Sequence, residues 1–467
     1  MAGSQLSVEK TAIPGLFVLD LPVHGDNRGW FKENWQREKM VALGLPDFAP
    51  VQHSVAYNEA AGVTRGIHAE PWDKQVSIAH GQAFCAWVDL RPGPTQGVVH
   101  TEMLDPGKAV FVPRGVGNSY QTQVPGTVYS YLVNRHWSPN VAYTLLNLAD
   151  ETVAIDWPIP LSEAEISAKD ENHPRLADIK PIPPLRTLII GARGQVGQAL
   201  QAELPNADAV GRDDLDLADA ASVQAFDFSG YDVVINAAAF TQVDGAETEV
   251  GRRAAWAANA VGVAALARAT AGARARLVHF STDYVFDGAA DEPWATTDEF
   301  APLSVYGQSK AAGDLAVSVH PQHYILRTSW VIGSGKNFIS TMQRLAASGV
   351  SPSVVNDQVG RLGFAEDLAR AARHLIDASA PYGTYNVTSS GEPMTWAQIA
   401  EAAFVASGRE ATDVTGISTA DYFAGATEPV APRPKWSVLD LSAIEATGFE
   451  TTDQRAGLSR YLHGSVG

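Results

Sequence analysis

Residues 186–204, RTLIIGARGQVGQALQAEL, decide how the second half of this chain folds. The apolar run from Thr187 to Ile190 stops at a glycine-spaced turn, and a helix-forming stretch follows at once. Gly191, Gly194 and Gly197 suit a tight turn, close approach of backbone N–H groups to a pyrophosphate, and close helix–strand packing. Glycine-rich turns are common, and this one gains its meaning from standing directly after a strand and opening a helix. About twenty residues on lie Asp213, Asp214 and Asp216, either a solvated turn or the place where an adenosine is held. The DLDL pattern favours contact between Asp216 and the adenosine end.

Working downstream, YDVVINAAAF (231–240), RLVHFSTDYVF (276–286) and HYILRTSWVIG (323–333) are near-continuous apolar strands separated by Ala-rich helical stretches. Strands alternating with helices predict a parallel sheet covered on both faces. From about residue 335 the pattern turns irregular, as a small substrate-binding lobe would. The strand that ends on Ser281 and Thr282 places two hydroxyls at the carboxyl edge of the sheet, where ligands of such folds bind. Tyr306 and Lys310 are four apart and share a helix face. An ammonium beside a phenol is expected to lower its pKa, and the lysine can also hold a nicotinamide ribose. Tyr306 is then a proton donor to a carbonyl oxygen as hydride reaches its carbon.

GARGQVGQAL, VINAAAFTQVDGAE, STDYVFDG, PLSVYGQSKAAGD, RTSWVIG, NFISTMQRLA and NDQVG, in that order, resemble dTDP-4-dehydrorhamnose reductase, an extended short-chain dehydrogenase with a Rossmann sheet. The resemblance spans roughly residues 186–465. It implies NADPH or NADH as hydride donor to carbon 4 of a sugar ketone, with Thr282, Tyr306 and Lys310 as the catalytic trio. It places Gln195, Val196, Leu217, Ala237, Ala238, Ala239 and Asn259 with the glycines and Asp216 on the cofactor. Val243, Asp244 and Trp330 are implied as substrate contacts. RLGFAED (361–367) departs from the family, which usually carries Pro-Thr before this helix.

Upstream, ENHPRLADIKPIPPL (171–185) holds four prolines in fifteen residues. Proline-dense chain is extended and semi-rigid, so residues 179–185 are expected to link a domain at 1–178 to one at 186–467. The first third reads as short β-branched or aromatic strands, such as GLFVLDLPV, AFCAWVDLR and TVYSYLVNRHW, bounded by Gly, Pro and Asp. Many short strands without a long helix predict a sandwich or jelly roll. His68, Lys74, Tyr131 and Asp170 supply a base, a cation, a phenol and a carboxylate that fixes the base's tautomer, a set suited to proton abstraction beside a ketone.

HGDNRGWFKENW, TRGIHAE, WVDLRPGP, VFVPRGVGNSY and IDWPIPLSEAEISAKDENHPRLAD resemble dTDP-4-dehydrorhamnose 3,5-epimerase, a dimeric, all-β cupin-type jelly roll. The resemblance makes His68 the base, Asp170 its partner, Lys74 the enolate stabiliser and Tyr131 the acid. It puts Arg28, Glu33, Gln52, Arg65 and Lys169 on the nucleotide diphosphate. Asn118 stands where the family usually has a substrate-contacting histidine, and Cys85 where an aspartate is common. No metal is expected, because no second histidine follows His68 at close ligand spacing.

The formal charge of −18 argues against nucleic-acid or anionic-membrane partners. No apolar run is long enough to span a membrane. The single cysteine, Cys85, excludes an intramolecular disulfide and fits a reducing cytoplasm; a buried hydrophobe is its expected role. The whole reads as a bifunctional epimerase–reductase acting on a dTDP-sugar, dimeric through its cupin domain. Two alternatives stay open: a reductase joined to a single-carbon or inactive epimerase, and a nucleotide-binding regulatory subunit.

Overall fold

The computed structural model describes residues 5–137 and 141–464, and the chain divides into two compact units, Met1–Pro184 and Leu185–Gly467. Among the described residues no helix is long and apolar enough to cross a membrane.

The first unit is a jelly-roll-like sandwich of two six-stranded sheets. One sheet runs, in spatial order, Ser7–Lys10, Phe17–Asp20, Lys108–Val112, Lys74–His80, Thr127–Val133 and Gln52–Asn58. The other runs Thr144–Leu145, Val63–Ala69, Val116–Thr122, Ala83–Asp89 and Val99–Leu104, with Glu165–Ile166 added parallel to Val63–Ala69. Strand alternation sends Val76, Ile78, Cys85, Trp87, Val110, Tyr120 and Tyr129 into one shared core between the sheets. Cys85 is fully buried there, and burial drives its thiol pKa well up, as expected of a small core residue.

A second core forms where Ile67, Ala69, Val88 and Leu90 are covered by Leu146, Leu148, Val153 and Ile182, with Ile179 packed against it. The Lys180 carbonyl also accepts a hydrogen bond from Thr144 Oγ1, 2.6 Å. The proline-rich stretch is therefore docked on the first unit as far as Ile182, whose apolar side chain outweighs the linker character of its neighbours.

The second unit is built on a Rossmann-like parallel sheet. Its strands, in order, are Asp208–Val210, Thr187–Ile190, Val233–Asn236, Arg276–Thr282, His323–Thr328 and Gly383–Asn386. The period of two sorts their apolar runs onto both faces. Leu188, Ile190, Val234, Leu277 and Ile325 pack on one side, and Ile189, Val233, Ile235, Val278 and Leu326 on the other. A smaller lobe gathers around helices Phe338–Ala347 and Trp396–Ala406, with Ile339, Met342, Leu362, Ile399 and Phe404 as its core.

Candidate active sites

In the second unit, the chain turns sharply at Gly191, whose φ is +88°; a Cβ there would lie 2.6 Å from the Ala238 amide nitrogen. At Gly197 a Cβ would run into the Gly191 carbonyl, so the helix Gln195–Glu203 sits directly on the turn. Gly194 caps that helix with no side chain of its own. A cavity of about 1000 Å³ opens at this point. It is lined by Gly191, Gly194, Gln195 and Val196, by Asp216 and Leu217, by Ala237, Ala238 and Ala239, and by Val243, Thr282, Tyr306 and Trp330. Arg193 and Arg212 also line it, Arg193 held by Asp213 at 2.9 Å. Arg212 was not singled out from the sequence, although it stands two residues after a strand end.

Tyr306 occupies the first turn of the helix Val305–Ser318. Ser304 caps that helix by accepting the Gly307 N–H, and Glu247 accepts the Val305 N–H at 2.8 Å. Thr282 Oγ1 donates to Asp283 Oδ1, 3.0 Å, and accepts the Tyr284 N–H, and Thr282 lines the same cavity as Tyr306. Burial, then the charge of Asp283, push Tyr306 well above the ordinary phenol range.

The expected depression of Tyr306 by Lys310 is not what the structure holds. Lys310 Nζ donates to the Phe280 carbonyl at 2.6 Å and stands 3.4 Å from His279 Nε2, and it does not line the cavity. Burial lowers its pKa to about 8 against the pull of Asp314. His279, fully buried, takes a hydrogen bond at Nδ1 from Asn236 Nδ2, 3.0 Å.

Two further expectations change. Asn259 is outside the cavity lining: its Oδ1 accepts the Phe240 N–H, and its Nδ2 donates to the Phe240 carbonyl and to Ser309 Oγ. It clips a loop to a helix. Asp244 accepts the Ala431 N–H and pairs with Arg433 at 2.7 Å, so its carboxylate holds the C-terminal segment. Trp330 meets the cavity as expected, with φ +45° and its indole stacked on Trp396 at 4.0 Å.

In the first unit, His68 lies on the strand Val63–Ala69 and its Nε2 is 3.0 Å from Asp170 Oδ1. Asp170, on the short helix Ala168–Glu171, also receives the Gly66 N–H, 3.3 Å. Gly66 has φ +129°, and a Cβ there would lie 2.5 Å from Ser119 Cβ. Burial presses the Asp170 pKa upward, but the His68 hydrogen bond and charge outweigh it and hold the carboxyl below its usual value. His173 joins this pair from farther along the chain, its Nε2 3.5 Å from Asp170 Oδ1.

Asn118 is the cross-strand partner of His68. Its Oδ1 accepts both Trp87 Nε1–H and the Tyr129 hydroxyl, each at 2.9 Å. An indole N–H only donates, so the oxygen must face Trp87 and Nδ2 is left as a donor. Lys74, on the facing sheet, is 2.5 Å from Glu70 and lies over the Tyr131 ring at 4.7 Å. Glu70 also accepts Trp72 Nε1–H, 2.9 Å; its place beside Lys74 went unread in the sequence, although it stands four residues before it.

The expected diphosphate contacts are dispersed. Arg28 lies on an exposed hairpin and pairs with Asp26, and Glu33 pairs with Lys39. Gln52 receives the Trp137 N–H and donates to Ser54, Arg65 Nε donates to Asn58, and Lys169 is exposed next to Asp170. Among the described residues, none of these five hydrogen-bonds to His68, Lys74 or Tyr131.

A family model described as RmlD substrate binding domain matches residues 185–466, and one described as dTDP-4-dehydrorhamnose 3,5-epimerase matches residues 10–178. The protein RmlC homolog of Streptococcus pyogenes serotype M6 is 47% identical over 179 residues, 37% of this chain and 90% of that protein. The dTDP-4-dehydrorhamnose reductase of Mycobacterium tuberculosis (strain CDC 1551 / Oshkosh) is 41% identical over 268 residues, 54% of this chain and 84% of that protein. The crystal structure of dTDP-4-dehydrorhamnose reductase from Bacillus anthracis str. Ames in complex with NADP is similar at TM-score 0.55 and 34% identity, covering 60% of this chain and 99% of that one. The chain thus belongs to the RmlD-type dTDP-4-dehydrorhamnose reductase family through its second unit and to the dTDP-4-dehydrorhamnose 3,5-epimerase family through its first.

Proposed function

We propose that this chain is a bifunctional enzyme of dTDP-L-rhamnose formation, epimerising a dTDP-4-keto-6-deoxyhexose at carbons 3 and 5 and reducing its ketone at carbon 4. The observation that carries this reading is that Thr282 and Tyr306 line the same cavity as the glycine turn Gly191–Gly194.

That cavity suits a dinucleotide. Gly194, Gln195 and Val196 bring the start of a helix to it, where an anion is favoured. Thr328, which also lines the cavity, has a buried Oγ1 that closes no hydrogen bond. Arg193 and Arg212 are placed for the extra phosphate of NADPH. The cofactor, when bound, supplies hydride to the ketone carbon. Tyr306, kept protonated by its burial, gives its proton to the ketone oxygen, and Thr282 orients the phenol. Lys310 completes the trio one helical turn on, fixing the strand end that carries Thr282 through the Phe280 carbonyl. These roles support reading the second unit as an extended short-chain dehydrogenase.

In the first unit, taken as a cupin-type domain, His68 donates Nε2–H to Asp170 and keeps the Nδ1 lone pair for the proton next to the ketone. Lys74 stabilises the enolate oxygen and Tyr131 returns a proton from the other face. Asn118 offers a neutral N–H where a histidine could offer charge, so exchange is slower than with histidine. Arg28, Glu33, Gln52, Arg65 and Lys169 serve the nucleotide diphosphate once substrate draws them in. A second copy of the chain covers the edge strand Gln52–Asn58, which exposes Val55 and Tyr57. The enzyme works in the cytoplasm, without nucleic acid or membrane.

The test is incubation with dTDP-4-keto-6-deoxy-D-glucose in deuterated water, with and without NADPH, read by NMR. Deuterium at carbons 3 and 5, followed by NADPH-dependent loss of the ketone, is the expected result. Reduction without deuterium uptake would remove the epimerase half of the reading.

A further inference from the structure

Asp170 stands between two imidazoles. His68 Nε2 and His173 Nε2 approach the same carboxylate oxygen at 3.0 and 3.5 Å, and the rings meet edge to face at 5.3 Å. One ligand atom from each residue lies within 4.8 Å of the other two. Asp170 and His173 are 6% and 7% exposed; the His173 ring faces the Leu146 backbone as well as Asp170, and neither of its nitrogens closes a hydrogen bond of good geometry. A buried imidazole left in this state calls for a reason.

We propose that His68, Asp170 and His173 form a binding site for a divalent cation of the zinc class, whose occupation switches the epimerase off from behind its base. The effect on catalysis rests on the reading of His68 as that base; the site itself does not.

Two imidazole nitrogens and one carboxylate oxygen are a donor set that zinc takes, leaving one tetrahedral position for water. Zinc bonds of about 2.0–2.1 Å span about 3.4 Å between ligand atoms, so closure is a matter of side-chain shifts. Zinc takes an imidazole as the neutral ring and a carboxyl as its anion, so its binding releases any proton these groups hold. Lys169 acts against a cation here, which makes the site weaker than a structural zinc centre.

The consequence follows from the tautomer. With Asp170 accepting Nε2–H, the His68 lone pair is on Nδ1, ready for substrate. A cation on Nε2 takes that position's lone pair, and the one proton of the neutral ring moves to Nδ1. The base then has nothing to accept with, although the substrate's place is untouched. Inhibition is therefore on kcat, not on KM.

The full chain is titrated with Co²⁺, then with Zn²⁺ during deuterium exchange, as wild type, His173→Gln and His173→Leu. Wild type is expected to show the visible absorption of four-coordinate cobalt at one equivalent. Saturating zinc lowers its exchange kcat by ~10²-fold, with KM unchanged and recovery on adding EDTA. Both variants exchange normally without zinc and bind it at least about tenfold more weakly. Absence of the cobalt band in wild type, zinc inhibition undiminished in the variants, or an effect on KM alone overturns the proposal. Should wild type with EDTA show no exchange at all, the epimerase reading fails, and the cobalt band alone decides the site.

Discussion

Asp283 carries a charge that its surroundings resist. It follows Thr282 at the cavity wall, is 3% exposed, and burial lifts its pKa from 3.8 to about 6 against the hydrogen bonds of Ser437 and Thr282. A carboxyl whose folded pKa exceeds its unfolded value burdens the fold in full above the folded pKa. That burden fades as pH falls through about 6 toward 3.8. Two units correspond to about 3 kcal/mol. Asp283→Asn keeps an oxygen for the Thr282 hydroxyl and removes the charge, so the second unit should gain about 1–3 kcal/mol at pH 8 and under about 1 kcal/mol at pH 4. Native-state hydrogen exchange at the amides of Arg276–Thr282 reads this unit separately from the first. A gain of equal size at both pH values, or a loss at pH 8, would show that the ionised carboxylate is not the burden.

Tyr306→Phe should leave NADPH binding nearly intact and lower ketone reduction by ~10²–10⁴-fold, measured with pre-epimerised substrate; near-normal turnover rules out Tyr306 as the acid. His68→Ala should abolish deuterium uptake while that same reduction proceeds unchanged, and residual exchange at the wild-type rate would remove His68 from the base's role. Arg212→Glu should cut the preference for NADPH over NADH by about 10–100-fold, since a charge-assisted phosphate contact contributes about 1.5–3 kcal/mol; an unchanged ratio of kcat/KM values refutes the contact. Residues 1–184 and 185–467, expressed separately, should each be soluble and keep their own activity, and failure of the second to reduce substrate would mean that the cores are shared.

The parallel sheet could be read from sequence because its four inner strands are short apolar runs whose alternate residues serve two different cores, whereas the edge strands Asp208–Val210 and Gly383–Asn386 carry no such run. The glycine turn was equally legible, since a Cβ at Gly191 or Gly197 has nowhere to go. Spacing placed Tyr306 and Lys310 on one helix, but it carried no information about which way a long side chain leans; the Phe280 carbonyl decides that. Asn259 and Asp244 were read as ligand contacts, and instead their polar atoms hold backbone and Arg433. Residue chemistry offered His68 and Asp170 as a base and its carboxylate, and the resemblance assigned them as partners, because nothing in the spacing joins residues 102 apart. His173 escaped notice although it stands only three residues after Asp170, because that spacing gains meaning only once His68 is brought to the same carboxylate. The unit boundary falls at Pro184, inside the proline-rich stretch, but proline content is silent about what Ile179 and Ile182 bury against.

The stack of Trp330 on Trp396 has an optical consequence. Two indoles held 4.0 Å apart and 22° from parallel couple their electronic transitions. Trp330 has little freedom to break the pair, because a Cβ at Gly360 would already meet its ring at 2.9 Å. Both rings line the cavity, and indole emission overlaps the absorption of a dihydronicotinamide. The wall of the site is thus a built-in chromophore: a ligand seated against it alters the near-ultraviolet dichroism of the pair, and a reduced cofactor drains its fluorescence by energy transfer. Occupancy of the second unit can be followed in the unlabelled protein, in real time, while the first unit turns over.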